Sequence, residues 1–114
     1  MKIVDNKITV DELKEMSAKM FGNLVKVVVD IQREIIAVDA ELHSDEEALL
    51  LQDGSKQADL WGINIYPDLF GKEDFTEFDS MINLRPSQNN RSRRVDDPEI
   101  RRRIVEITSK LISR

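Results

Sequence analysis

The chain has 114 residues, 40% apolar and 34% charged, with a net charge of −5 and no cysteine. That length supports one core and leaves little for a second, and the missing cysteine excludes disulfides, thiolate nucleophiles and Cys-bearing zinc sites. No apolar run reaches transmembrane length and residues 1–5 lack a signal peptide's apolar stretch, so the expectation is a single domain, 1–114, in the cytoplasm, with no membrane partner.

Residues 2–5 read as a short strand closed by an Asn6-Lys7 turn. Thr9 and Glu12 are spaced as a capping box, with Ile8 and Leu13 as a hydrophobic staple, so a helix is expected from Val10. Leu13, Met16 and Met20 form its apolar stripe and Gly22 its left-handed stop.

Residues 24–41, LVKVVVDIQREIIAVDAE, carry the longest β-rich apolar pattern. With residues 31–34 as the turn and Asp30 opposite Ile35, the residues Val25, Val27 and Val29 share an apolar face with Ala40, Val38 and Ile36. The other face then sets Lys26 opposite Asp39, whereas a one-residue slip mixes the faces. A second capping box, Ser44 to Glu47, predicts a short helix with Ala48, Leu49, Leu50 and Leu51 on an apolar side, ended by Gly54.

After a polar linker at 55–59, the segment 60–66 alternates Trp61, Ile63 and Ile65 with Gly62, Asn64 and Tyr66, the pattern of a strand closed by Pro67. An exposed loop at 67–74 precedes another strand candidate, 75–85, stopped by Pro86. Residues 86–95 have no periodicity and read as a solvent-exposed loop. Asp97 then caps a final helix with Pro98 in its first turn. Ile100, Ile104, Ile107 and Leu111 form its core stripe, Arg101, Arg102 and Arg103 look outward, and Asp97–Arg101, Glu99–Arg103 and Glu106–Lys110 are spaced as i,i+4 pairs. This order predicts an α+β fold: a mostly antiparallel sheet of four to five strands with three helices packed on it.

Charge is unevenly distributed. Residues 1–84 carry 8 Lys/Arg against 18 Asp/Glu, a net of −10, while residues 85–114 carry 9 against 4, a net of +5. Exposed charges are screened beyond about 8 Å at physiological salt, so the basic tail is the candidate anion site despite the acidic whole.

Three groups of residues stand out chemically. Asp39, Glu41 and His43 are spaced by two and project to one side of an extended segment, so they are the candidate ligands for a divalent metal. His43, the only histidine, is the candidate proton-transfer group with Glu41 beside it. The plainer reading pairs Asp39 with Lys26 and leaves Glu41 solvated. Asn64 and Asn83, on neighbouring strands, would share a polar face with Tyr66 and Arg85, either as a ligand surface or as the solvated side of the sheet. The segment 85–103 holds seven arginines, whose planar forks suit phosphate; the candidate anion-binding set is Asn83, Arg85, Asn89, Arg91, Arg93 and Arg94, with salt links to the acidic part of the chain as the competing use. Glycine-rich phosphate loops, nucleophile elbows and His-rich zinc motifs do not occur, so no cofactor is expected.

The segments DAELHSDEEALLLQDGS, QADLWGINIYP and INLRPSQNNRSRRVDDPEI resemble those of a family of short prokaryotic proteins of unknown function. The resemblance covers nearly the whole chain from Val25 onward. It implies a stand-alone domain with no established activity and carries over no site residue.

Three functional readings follow. The first is a domain whose loop at 85–94 binds an anionic partner, RNA or a nucleotide phosphate. The second is a hydrolase or nuclease using His43 and Glu41, with Arg85 stabilising developing charge. The third is a non-catalytic homodimeric interaction module that uses an exposed strand edge or the last helix.

Overall fold

Valine and isoleucine favour extended backbone that packs on both neighbours and faces, and residues 25–38 supply them in quantity. In the computed structural model, which describes residues 1–114, the elements in chain order are β1 (Lys2–Val4), β2 (Ile8–Thr9), α1 (Val10–Lys19), β3 (Val25–Asp30), β4 (Ile35–Val38), α2 (His43–Gln52), β5 (Leu60–Ile65), β6 (Thr76–Glu77), α3 (Pro98–Leu111) and β7 (Ile112–Ser113). Five strands form one antiparallel sheet in the order β1-β4-β3-β5-β6. β2 and β7 pair in parallel, Ile8 with Ile112, and tie the start of α1 to the end of α3. The expected α+β architecture is the observed one. No helix is long and apolar enough to cross a membrane.

The hairpin has the register read from its pattern, with Asp30 opposite Ile35 and Val29 opposite Ile36. Asp30 Oδ1 fastens the turn by accepting from the Gln32 and Arg33 amides, both at 2.9 Å, and Glu34 takes the left-handed conformation, φ 59°. The apolar face of Val25, Val27, Val29, Ile36 and Val38 joins Trp61, Ile63 and Ile65 and is covered by Leu13 of α1 and by Ile104, Ile107 and Leu111 of α3. Ala40 lies outside that cluster. The opposite face is not solvated either, because Val28, Ile35, Ala37 and Leu60 pack under Leu50 of α2. The sheet centre is therefore buried on both sides.

Four local expectations are corrected. β4 stops at Val38, and Asp39 (φ 71°) turns out of the sheet toward the Met1 amino group, 3.7 Å away, so Lys26 has no Asp39 beside it on the β4 edge; on its other edge it stands opposite Asn64 of β5. The second capping box does not form: α2 begins at His43 behind Leu42 with no side-chain cap, because the His43 ring is bonded to the Ile63 carbonyl and Ser44 is already helical. Of the four apolar residues expected on one side of α2, only Leu50 is fully buried. On α3 the i,i+4 pairs are replaced by others. Arg102 pairs with Glu99 and Glu106, and Arg103 and Lys110 both reach Glu34 in the hairpin turn, each at 3.0 Å.

The fourth correction concerns residues 75–85, where only Thr76–Glu77 is strand and Met81–Asn83 is a 3-10 turn. Past Asn64, the outer edge of β5 is closed by side chains instead of a strand. The Asn83 amide accepts from Gly62 N at 2.8 Å and donates to Gly62 O at 2.9 Å and Arg93 O at 3.0 Å, while the Arg85 guanidinium donates to Leu60 O at 2.6 Å and to Gln57 O. Asn90 performs the same service within the loop. It donates to the Asn83 and Arg94 carbonyls, each at 2.7 Å, and accepts from the Asp96 amide at 2.8 Å. The Ser80 segment consequently presses on β5 so closely that a Cβ at Gly62 would stand 2.5 Å from Ser80 Cβ.

Two consequences are measurable by denaturant unfolding. Asn83→Ala leaves the Gly62 N–H and C=O without partners, while Arg93 O keeps the Ser80 amide, and is expected to lower stability by about 3 kcal/mol, with faster amide exchange at Gly62. Gly62→Ala destabilises by collision, and Ser80→Gly in the same chain recovers part of the loss; a Gly62→Ala chain as stable as the parent refutes the close-packing account.

Candidate functional site: a cleft between the start of α2 and the outer edge of the sheet

On the α2 side of the sheet, β3 and β5 carry one polar residue each near the open end, Lys26 and Asn64, directly opposite one another. Around them lies a cleft of about 430 Å³, lined by Phe21, Leu24, Leu42, His43, Ser44, Glu77, Asp79, Ser80, Met81, Ile82 and Arg93 as well as the two strand residues. That volume is at the small-molecule end of ligand sites. Its rim is apolar and open to solvent: Phe21, Leu42 and Met81 are exposed, Met81 by 62%.

The floor is polar. Asn64 is buried; its Nδ2 donates to Glu77 Oε1 at 2.8 Å and to the Asp79 carbonyl at 3.4 Å, while its Oδ1 has no donor. The Glu77 carboxylate fixes this orientation, since the reversed amide would set oxygen against oxygen. Tyr66 also donates to Glu77 Oε1, at 2.9 Å. Arg93 Nε donates to Asp79 Oδ1 at 2.9 Å. Lys26 makes no ion pair or hydrogen bond and lies 5.3 Å from the centre of the Phe21 ring, a contact that leaves its charge available.

His43 is buried at the first turn of α2, with Nε2 at 2.7 Å from the Ile63 carbonyl. Nε2 therefore carries the proton and Nδ1 the lone pair. Burial holds the imidazole down to about 4, against the raising effect of that carbonyl, so it is neutral near pH 7. One turn further on, Glu46 is fully buried with neither carboxyl oxygen hydrogen-bonded. Burial pushes it up to about 10, although the Ala40 amide and Lys26 favour its charged form. It is a neutral carboxylic acid at neutral pH.

The residues singled out in the sequence are distributed as follows. His43, Asn64 and Arg93 meet in the cleft. Glu41 lies apart from His43, in a separate depression with Met1, Asp45 and Gln52. Asp39, Glu41 and His43 do not come together, and no three His, Asp or Glu side chains are grouped to hold a metal. Asn83 and Arg85 close the edge of β5, and the Arg85 guanidinium stacks 4.2 Å above the Trp61 ring. Asn89 takes the left-handed conformation, φ 61°, at the end of a turn. Arg101 donates to the Val95 and Asp96 carbonyls. Among the seven arginines, only Arg91 and Arg94 have a guanidinium with neither ion pair nor hydrogen bond. Lys26, Glu46 and Asp79 are not among the site residues that spacing and residue type point to; the signal for Lys26 is a lone charge inside a valine run.

A larger groove of about 1140 Å³ separates Phe70, Phe75 and Phe78 from Val105 and Ile112 of the C-terminal segment. None of the buried polar atoms lacking partners belongs to its lining, so it holds no buried polar group awaiting a partner.

Residues 2–111 match the model of a family described as Protein of unknown function (DUF5674), and the chain belongs to that family. The match takes in β1 and α1, which lie before the quoted resemblance. No curated protein and no solved structure matches the chain.

The two buried titratable groups on α2 give stability opposite pH dependences. Glu46 has a folded pKa above its unfolded one, so its contribution is complete below about 4.5 and is lost as pH rises. His43 has a folded pKa below its unfolded one, so its contribution is complete above about 6.5 and is lost toward acid. Of these two groups only Glu46 acts between about pH 6.5 and 9, and its contribution to stability is expected to fall by about 1.4 kcal/mol per pH unit. Urea unfolding across that range checks this. Glu46→Gln should flatten the alkaline slope and retain the acid one; an unchanged alkaline slope excludes Glu46 as its source.

Proposed function

We propose that this protein is a recognition domain whose cleft takes a small organic anion, with the anionic end at Lys26 and an apolar body between Phe21, Leu42 and Met81. The observation that carries the reading is an ammonium with no ion pair or hydrogen bond at the floor of the cleft, under an apolar rim. Arg93 is the one arginine of the 85–94 loop that lines the cleft, and its pairing with Asp79 holds it there.

The geometry favours binding over acid–base catalysis. An imidazole held to about 4 is not an imidazolium near neutral pH, so it cannot serve as a general acid, its one N–H is committed to the Ile63 carbonyl, and it is a weak base. It also favours a small anion over RNA. Five of the seven arginines in 85–103 are engaged by carboxylates or backbone carbonyls, and Arg91 and Arg94 alone make a small footprint for a polyanion.

Titration of the ¹⁵N-labelled chain with phenylacetate tests the reading. Shifts are expected at residues 24–26, 42–44, 64 and 79–82, and Lys26→Gln should weaken binding about tenfold, the loss of one charge-assisted contact. Absent shifts, or affinity indifferent to Lys26→Gln, would refute it. Binding of single-stranded RNA that falls steeply with salt and with Arg91→Ala would place the anion site on the loop instead.

A further inference from the structure

We infer that the ligand's anionic group is one half of a zwitterion, and that the cleft takes an apolar α-amino acid. The inference deepens the reading above and rests on it. A simple anion is an incomplete fit, because the two cations of the lining, Lys26 and Arg93, are balanced by two carboxylates, Glu77 and Asp79. Any anion drawn to Lys26 enters a site with no net charge and feels both carboxylates. A ligand that brings a cation with its anion meets both signs favourably.

The placement of the unpartnered groups matches that requirement. Lys26 and Asn64 are directly opposed on β3 and β5, where cross-strand Cβ atoms stand about 5 Å apart on the same face. One offers a positive charge with no partner. The other offers an acceptor, Oδ1, with no donor, beside the Glu77 carboxylate that its own Nδ2 already engages. An α-amino acid carries carboxylate and ammonium on a single carbon, so both ends reach these neighbours at once. The carboxylate takes Lys26; the ammonium donates to Asn64 Oδ1 and faces Glu77. Its side chain is then left at the Phe21, Leu42 and Met81 rim. Neutral His43 adds no competing charge to the floor. Oδ1 is screened from solvent, so entry moves the rim, and Met81, unbranched and mostly exposed, is the side chain best able to give way.

Deleting either end of the ligand tests this on the unmodified chain. Calorimetry and ¹⁵N spectra with L-phenylalanine, phenylacetate and 2-phenylethylamine should give phenylalanine an affinity about tenfold above either truncated probe, with shifts at the same cleft residues. Asn64→Ser should remove the preference over phenylacetate, and Lys26→Gln the preference over phenylethylamine. Phenylacetate bound in the cleft as tightly as phenylalanine overturns the zwitterion and leaves the anion reading intact. Phenylethylamine bound as tightly as phenylalanine overturns both, as does the absence of cleft shifts with all three. The probe comparison requires no variant, so a failure of Asn64→Ser to fold leaves the test decisive.

Discussion

β5 is buried on both faces, yet on its outer edge it has a neighbouring strand for only two residues. Buried backbone groups left without partners are expensive, so the rest of that edge has to be closed by something else. Asn83 closes it at Gly62 and Arg85 closes it at Leu60. This requirement fixes where residues 80–96 run. Asn83 pins the loop to the sheet and Asn90 holds the loop to itself, and its arginines are distributed accordingly.

The cleft is a by-product of that arrangement. Where the chain leaves β6 and folds back over Gly62, it opens a space bounded by Asp79–Ile82 on one side and the first turn of α2 on the other. His43 forms the opposite wall because its ring is anchored to the Ile63 carbonyl, one residue along β5 from both Gly62 and Asn64. The three contacts fall on consecutive residues of one strand. A shift in the β5 edge would move both walls together, which ties the shape of the cleft to the stability of the sheet.

Two buried titratable groups on one short helix give α2 a different character from α1 and α3. Glu46, buried with no side-chain or backbone partner in bonding geometry, is tolerated because the acid stays neutral, and the burial that keeps it so also holds His43 neutral. Lys26 lies near both and is not neutralised by either. The single charge in the valine run of β3 is thus left unpaired on that face.

The sequence by itself determined the elements whose causes are local. The register of the β3–β4 hairpin follows from alternation and the Asp30 turn, the start of α1 from Thr9 and Glu12, and the start of α3 from Asp97 and Pro98. Each rests on residues a few positions apart. Tertiary structure alone decided which polar groups are consumed by the fold and which stay unpaired, because those bonds join residues far apart in sequence: His43 to Ile63, Asn83 to Gly62, Arg85 to Leu60, Arg103 and Lys110 to Glu34. Asn83 and Arg85, which stood out as anion-binding types, close the strand edge, while Lys26, which had an obvious cross-strand partner, lost it when Asp39 turned out of β4. Residue type and spacing carry no record of such pairings, since a hydrogen bond between distant segments depends only on where the finished fold places its donor and acceptor.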